Sequence, residues 1–459
     1  MADNVHVDVH AATVLRRAVE AAIWGTPAVN FLVMAEAALG AGCDSNEIAY
    51  WSRPLDWHNQ TLTPNPDAIS LMPFISVHEG PVVLDIPAAT DDAAIIGSVM
   101  DAWQVPLGDV GSTGRDVGEG GRYLLTPPGW DEPAPAGFFE LACPTNRAYA
   151  LLRSSIRSGS DADVSTAVDY ALDGVKLYRY DDSVTSPPTA FHDMSDVLFD
   201  ATIPFDVRFY DLLDRFVKSE PWQERDRAMI DMLRSVGITK DSEFAPTAAG
   251  QELLGEAIGE ARRFLDAQYE SFFAEPFFPG TAWALPSNTE LATAAGSGFT
   301  DPDSYPVDAR SAAYYWAFAT TEHTGADQFY LMATRDNTGA PLHGSLDYQL
   351  TVPADAPVDL YWSLTGYDRE THALIREVGR PSRSSTSPGL QTNDDGTVDL
   401  HIGPNALAGR ESNWLPTSSG HSFEVLMRFY GPQPALSTKS WQLPDIVRAA
   451  EPRTTGAPS

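Results

Sequence analysis

Lysine is nearly absent. The 459 residues hold four, Lys176, Lys218, Lys240 and Lys439, and the other 26 of the 30 cations are arginines. Against these stand 63 carboxylates, for a formal net charge of −33. A surface of that sign repels phosphate backbones and anionic lipid, so the expectation is no nucleic-acid partner and no membrane role. A carboxylate-rich, lysine-poor chain resembles the composition of salt-adapted proteins. At about 1 M salt the Debye length falls to about 3 Å and the repulsion among carboxylates is screened. The plainer alternative is an acidic protein from a GC-rich genome.

Cysteine is scarce too. Cys43 and Cys143 exclude a disulfide scaffold and read as two buried thiols of a reducing compartment. No run of 18 apolar residues occurs, so no membrane span is expected. The opening stretch carries acids where a signal peptide carries Lys or Arg, which predicts a cytoplasmic protein. The usual catalytic signatures are missing: no GxSxG elbow, HExxH, CxxC, P-loop, or GxGxxG after a strand. His6 and His10 stand four apart without further nearby ligands, and His323 and His401 are isolated, so all four read as surface or satisfied residues.

What is present is periodic. AATVLRRAVEAAIWG has helical spacing, Gly25-Thr26-Pro27 interrupts it, and VNFLVMAEAALG reads as a second short helix. These form a helical cap over residues 1–50. From 51 to 157, LMPFISV, PVVLDIP, GRYLLTPP and GFFELACP are cut apart by Pro, Gly and Asp turns, which predicts a first antiparallel β-sandwich. Residues 158–310 are mainly helical, with apolar stripes in VRFYDLLDRFVK and QELLGEAIGEARRFLDAQYESFF. From 311 to 459 the period drops to two. Tyr348, Leu350 and Val352 share a face, as do Val358, Leu360, Trp362 and Leu364, then Val398, Leu400 and Ile402, then Phe423, Val425, Met427 and Phe429. This predicts a second antiparallel sandwich. The fold class is α+β and β-rich.

Chemistry-bearing residues fall in three turn-rich clusters. In LTPNPDAIS, Pro64 and Pro66 hold Asp67 in place, for acid–base work or as an Asx turn. In MDAWQVPLGDVGSTGRDVGEGGRYLLTPPGW, Asp101, Trp103, Asp109, Arg115, Asp116 and Tyr123 surround a glycine-rich loop. Its spacing is not that of an EF-hand, so no cofactor is predicted, though looser Ca2+ or Mg2+ ligation by these oxygens is an open alternative. The third cluster gathers Tyr367, Asn413, Trp414 and Arg428. There Trp414 serves either as an apolar plug or as a platform for a sugar ring.

Taken in order, these motifs resemble a two-domain family, domains of unknown function 1254 (N-terminal) and 1214 (C-terminal). AAIWGTPAV, TPNPD, GPVVLDIP, DAWQ and DVGSTGRDVGEGGRYLLTPPGW carry the first half of the resemblance. GAPLHGSLDYQLTVP, APVDLYWSLTGYDRET, NDDGTVDLHIGP, ESNWLPT and RFYGP carry the second. Here Ala68 and Ile69 follow NPD, where the family usually has Thr and an aromatic pair. The resemblance implies a jelly-roll-like pair of β-rich domains and supplies no reaction.

Two functions fit. One is a hydrolase or lyase acting on a small polar or carbohydrate-like substrate. Asp67 and Asp116 would divide acid and base roles, Asp101, Trp103, Asp109, Arg115 and Tyr123 would bind, and Tyr367, Asn413, Trp414 and Arg428 would assist. The other is a ligand-binding or structural β-sandwich without turnover. Exposed sheet edges would allow a homo-oligomer, which the like charge opposes unless salt is high. Salt adaptation is tested directly: the melting temperature rises between low and molar potassium chloride, and a flat response refutes it.

Overall fold

In the computed structural model, which describes residues 9–157, 159–182, 188–317 and 328–449, the chain opens on helix α1 (Val9–Gly40). Nine strands follow: β1 (Glu47–Tyr50), β2 (Asn59–Gln60), β3 (Ala68–Ser76), β4 (Val82–Ile86), β5 (Ile95–Asp101), β6 (Pro106–Val110), β7 (Gly121–Thr126), β8 (Phe138–Ala142) and β9 (Arg147–Ser155). Helix α2 (Asp161–Gly174) leads to three short strands, β10 (Lys176–Arg179), β11 (Phe191–Asp193) and β12 (Phe199–Asp200). Then come α3 (Arg208–Ser219), α4 (Arg227–Val236), α5 (Ala248–Ser271), α6 (Thr289–Gly296) and α7 (Val307–Trp316). The remainder is β13 (Gln328–Ala333), β14 (Tyr348–Val352), β15 (Val358–Asp368), β16 (Ser382–Ser384), β17 (Val398–Gly403), β18 (Trp414–Pro416), β19 (Phe423–Pro432), a short α8 (Pro434–Ser437) and β20 (Val447–Arg448). The chain divides into two units, Met1–Ser271 with Ser287–Thr324, and Phe272–Pro286 with Gly325–Ser459. His6 and His323 lie outside the described residues.

The two helices expected before residue 50 are one. Pro27 has no N–H, and its ring pushes away the carbonyl four residues back. That carbonyl, on Ile23, accepts a 2.5 Å hydrogen bond from Ser311 Oγ on α7 instead. Thr26 Oγ1 donates to Ala22 O at 2.8 Å. Gly25 admits Leu213: a β-carbon there would stand 2.7 Å from Leu213 Cδ1. Undivided, α1 is long and apolar enough to cross a membrane, a length that the expected break at Pro27 concealed. Sixteen of its 32 residues are buried within the protein, and α3, α4, α5 and α7 pack against it. Helices α3, α4, α5 and α7 thus surround α1 and do not merely connect two sheets.

In the first unit, a six-stranded sheet of order β11-β1-β3-β9-β5-β6 and a four-stranded sheet of order β10-β4-β7-β8 enclose a shared core. Ile48, Leu71, Val99 and Leu152 meet Leu84, Tyr123 and Leu125 there. Strands β10 and β11, from the stretch read as a helical connection, complete these sheets, and β12 pairs with β2. Pairing is not wholly antiparallel, because β1 with β11, β7 with β8, and β2 with β12 run parallel.

In the second unit, sheets of order β13-β19-β15-β16 and β18-β17-β14-β20 enclose Tyr348, Leu350, Val352, Trp362, Leu364, Leu400, Ile402, Val425, Met427 and Phe429. Leu360 departs from its expected face and is 71% exposed, because the register shifts between Val358 and Tyr361. The other face of β15 and β19 is buried as well, with Ser363, Thr365, Tyr367, Glu424 and Arg428 on it. Alternation here separates apolar from buried polar residues, not core from solvent.

Gly97 on β5 is required by close strand approach: a methyl there would fall on the Leu151 carbonyl and stand 2.9 Å from Leu152 Cα. Gly97→Ala is expected to cost about 1–3 kcal/mol by overpacking, read as a lower urea midpoint. Gly40→Ala, where a β-carbon meets nothing within 4 Å, serves as the control and leaves the midpoint in place.

Candidate functional site

The turn Asp101-Ala102-Trp103-Gln104 joins β5 to β6. Gln104 lies at φ +60°, a left-handed conformation that costs a non-glycine residue about 1–3 kcal/mol unless its surroundings hold it. They hold it at four points. Its Nε2 donates to Pro27 O at 2.7 Å and to Asn30 Oδ1 at 2.8 Å. Its Oε1 accepts from Tyr149 OH at 2.6 Å, and its carbonyl accepts from Tyr314 OH at 2.5 Å. The proline that frees a carbonyl of α1 therefore also helps to fix this turn.

The turn delivers Asp101 and Trp103 into a buried charged cluster. Asp101 Oδ1 accepts from Val105 N at 2.9 Å. The Trp103 ring lies 4.5 Å from that of Trp24, with the Arg310 guanidinium 5.4 Å from its centre. Trp24 Nε1 donates to Asp226 Oδ1 at 2.8 Å. Asp226 Oδ2 is 3.5 Å from Arg225 Nε, an ion-pair distance without hydrogen-bond alignment, since neither atom has a hydrogen-bond partner among the described residues. Asp101 is 0% and Arg310 2% exposed. Burial pushes the Asp101 carboxyl up to about 6, against the pull of Arg225, the Val105 N–H and Arg310. Burial and the neighbouring Arg225 charge bring Arg310 down to about 10.

Many polar atoms of this cluster are left over. Asp101 Oδ2, Asp226 Oδ2, Trp103 Nε1, and Nε and Nη2 of both Arg225 and Arg310 are buried without a hydrogen-bond partner among the described residues. Each such atom costs about 1–3 kcal/mol unless something meets it.

Of the residues singled out in the sequence, Asp101 and Trp103 belong to this cluster. Asp109, Asp116 and Tyr123 gather elsewhere, in a lock on the loop between β6 and β7. Ser98 Oγ donates to Asp109 Oδ1 at 2.6 Å. Asp116 Oδ1 accepts from Tyr123 OH at 2.5 Å and from Gly111 N at 2.8 Å. Burial and Asp116 push the Tyr123 phenol well up. Arg115 lies at the surface and donates to Glu140 O at 2.6 Å. Asp67 is half-buried at the start of β3, its N–H bonded to Asn65 Oδ1 at 3.0 Å in an Asx turn. Asp67 precedes β3 and Asp116 belongs to the loop between β6 and β7, and strands β3 and β6 stand three places apart in the six-stranded sheet.

In the second unit, Arg428 donates to Tyr367 OH at 2.6 Å and to Thr365 Oγ1 at 2.8 Å. Asn413 is apart from them, with its Nδ2 donating to Gln391 O at 2.8 Å and Asp399 O at 2.9 Å. Trp414 Nε1 donates to Gly403 O at 2.8 Å. Trp24, Asn30, Arg225, Asp226 and Arg310 went unnoticed in the sequence. The motifs AAIWGTPAV and DAWQ hold Trp24 and the turn, but Arg225, Asp226 and Arg310 stand in no motif.

The raised carboxyl sets a pH dependence. A folded-state pKa above the unfolded value means that the folded chain binds the proton more tightly, so stability falls as pH rises from about 4 to about 6. The loss, roughly 3 kcal/mol, is complete above that window. Asp101→Asn keeps an acceptor for Val105 N–H and is expected to remove this fall, measured by urea unfolding at intervals from pH 4 to 7. An unchanged slope removes Asp101 from the titration.

The sequence matches the protein of unknown function DUF1254 over residues 45–179 and the protein of unknown function DUF1214 over residues 327–434. No curated protein matches it. The crystal structure of the VPA0106 protein from Vibrio parahaemolyticus is similar in fold, with TM-score 0.58 and 19% identity, covering 95% of this chain and 100% of that one. An uncharacterized protein from Burkholderia cenocepacia matches at TM-score 0.41 and 10% identity, over 96% of this chain and 94% of that one. The chain belongs to the two-domain family of proteins of unknown function in which DUF1254 is followed by DUF1214.

Proposed function

We propose that the first unit binds a small, oxygen-rich polar ligand, carboxylate-bearing or carbohydrate-like, at the cluster of Trp24, Asp101, Trp103, Arg225, Asp226 and Arg310. The observation that carries this reading is the set of buried N–H groups on Arg225, Arg310 and Trp103 that make no hydrogen bond among the described residues. In a chain with 63 carboxylates for 30 cations, arginines short of acceptors run against the composition. Guanidinium forks suit a carboxylate or a pair of hydroxyls, Asp101 Oδ2 and Asp226 Oδ2 can accept from hydroxyls, and the two indoles offer flat apolar faces.

A second reading adds turnover, as a hydrolase or lyase. It is favoured by Asp101, whose carboxyl is pushed up by burial to about 6, within the range useful to a general acid or base. Asp116 supports that role less, because its Oδ1 is already engaged by Tyr123 and Gly111. The same engagement, with Asp109 bound by Ser98, makes Ca2+ or Mg2+ at this loop the weaker proposal. Each unit's pair of sheets around one core supports reading both as sandwiches, and the family resemblance extends that reading to a jelly-roll-like order.

The test is mass spectrometry of small molecules released from the purified chain, together with thermal shifts against a panel of small carboxylates and monosaccharides. A retained molecule or a shift is expected in the wild type, falling at least tenfold in Arg310→Met. If nothing is retained or shifts the wild type, or the variant behaves identically, the binding reading fails. Asp101→Asn should keep the ligand and lose its conversion; if the wild type makes no product either, binding without turnover stands.

A further inference from the structure

We propose that Cys43, Glu47 and His192 form a zinc site where α1 gives way to the six-stranded sheet, with Cys43 Sγ, a Glu47 carboxylate oxygen and His192 Nε2 as ligands. The proposal is independent of the charged cluster. Among the described residues, these three offer ligand atoms that all lie within 4.8 Å of one another. Zinc bonds of about 2.0–2.3 Å at tetrahedral angles space ligand atoms about 3.3–3.6 Å apart, so side-chain movements of about 1 Å close the set.

Topology brings the three together. Cys43 follows α1 in a turn, where its N–H bonds to Ala38 O at 3.0 Å. Glu47 opens β1. His192 on β11 stands opposite Ala49 in the parallel pair, which makes it a diagonal neighbour of Glu47 on one face.

Two details favour a shared ion over a simple ion pair. His192 Nε2 is 2.7 Å from Glu47 Oε2, yet Nε2 is buried and makes no aligned hydrogen bond among the described residues. The two atoms are side by side, not head-on, which is how two ligands of one ion stand. Beside them is a thiol only 2% exposed, and a thiol that coordinates a divalent cation is deprotonated outright. Asp44 N donates to Glu47 Oε2 at 2.9 Å and so orients the carboxylate from outside the ligand set.

The donor set selects the metal. Sulfur, imidazole nitrogen and carboxylate oxygen suit zinc and not the hard cations Ca2+ and Mg2+. Three protein ligands leave a fourth position for water or an incoming group, the open arrangement of zinc sites that do chemistry.

The full-length chain, stripped with a chelator and dialysed against equimolar Zn2+, should retain one zinc per chain by elemental mass spectrometry. Cys43→Ala and His192→Ala should each retain less than a tenth of that, while Arg310→Met retains it in full. Because a variant can fail to fold, the wild type is also loaded with Co2+, which should give a thiolate-to-cobalt charge-transfer band in the near ultraviolet. No zinc retained by the wild type, wild-type retention in both ligand variants, or bound cobalt without the thiolate band overturns the proposal.

Discussion

A single backbone defect organises the first unit. Pro27 inside a long apolar helix leaves the Ile23 carbonyl without its helical donor, and buried carbonyls must be met. Ser311 meets Ile23 O, and Gln104 adds a bond to Pro27 O. One donor belongs to α7 and the other to the β5–β6 turn, so α1 is tied to a helix and to a sheet within one turn of its own length. Tyr314, three residues after Ser311 on α7, then bonds the Gln104 carbonyl and closes the circuit. Trp24, just before the proline, carries the Asp226 contact from the same stretch of helix.

The circuit gives the charged cluster its character. Two carboxylates and two guanidiniums balance formally, which is how charges survive away from water. Balance of charge is not satisfaction of hydrogen bonds, however. Trp103 contacts both the Trp24 ring and the Arg310 guanidinium, and the charges of Asp226 and Asp101 act on Arg310 without hydrogen-bonding its Nε or Nη2 among the described residues. The second unit makes a contrasting use of the same chemistry. Arg428 reaches Tyr367 and Thr365, and Glu424 pairs with His372 at 2.7 Å.

Much of the sheet structure was legible because only an extended strand puts every second side chain on the same face. Phe423, Val425, Met427 and Phe429 do face one core. Strands β10, β11 and β12 were illegible because two to four residues show no period. The break read at Pro27 failed for another reason: the donor that repairs the helix lies 288 residues away, and local propensity does not see it. At the candidate sites, Asp109, Asp116 and Tyr123 drew notice as acids and a phenol beside glycines. Fastening a tight loop asks for the same residue types as catalysis, so the sequence could not tell the two apart. Asp101 and Trp103 were visible through their motif, whereas Arg225, Asp226 and Arg310 converge only in three dimensions.

The partners of α1 also set a timetable for synthesis. Its apolar faces leave the ribosome first, but Ser311 follows roughly 270 residues later, about 15–55 s at the usual pace of translation. Throughout that interval a helix with sixteen residues destined for burial lacks its final neighbours. Since α7 is the last of the helices around α1 to be made, the helical layer can close only after nearly seven-tenths of the chain has emerged.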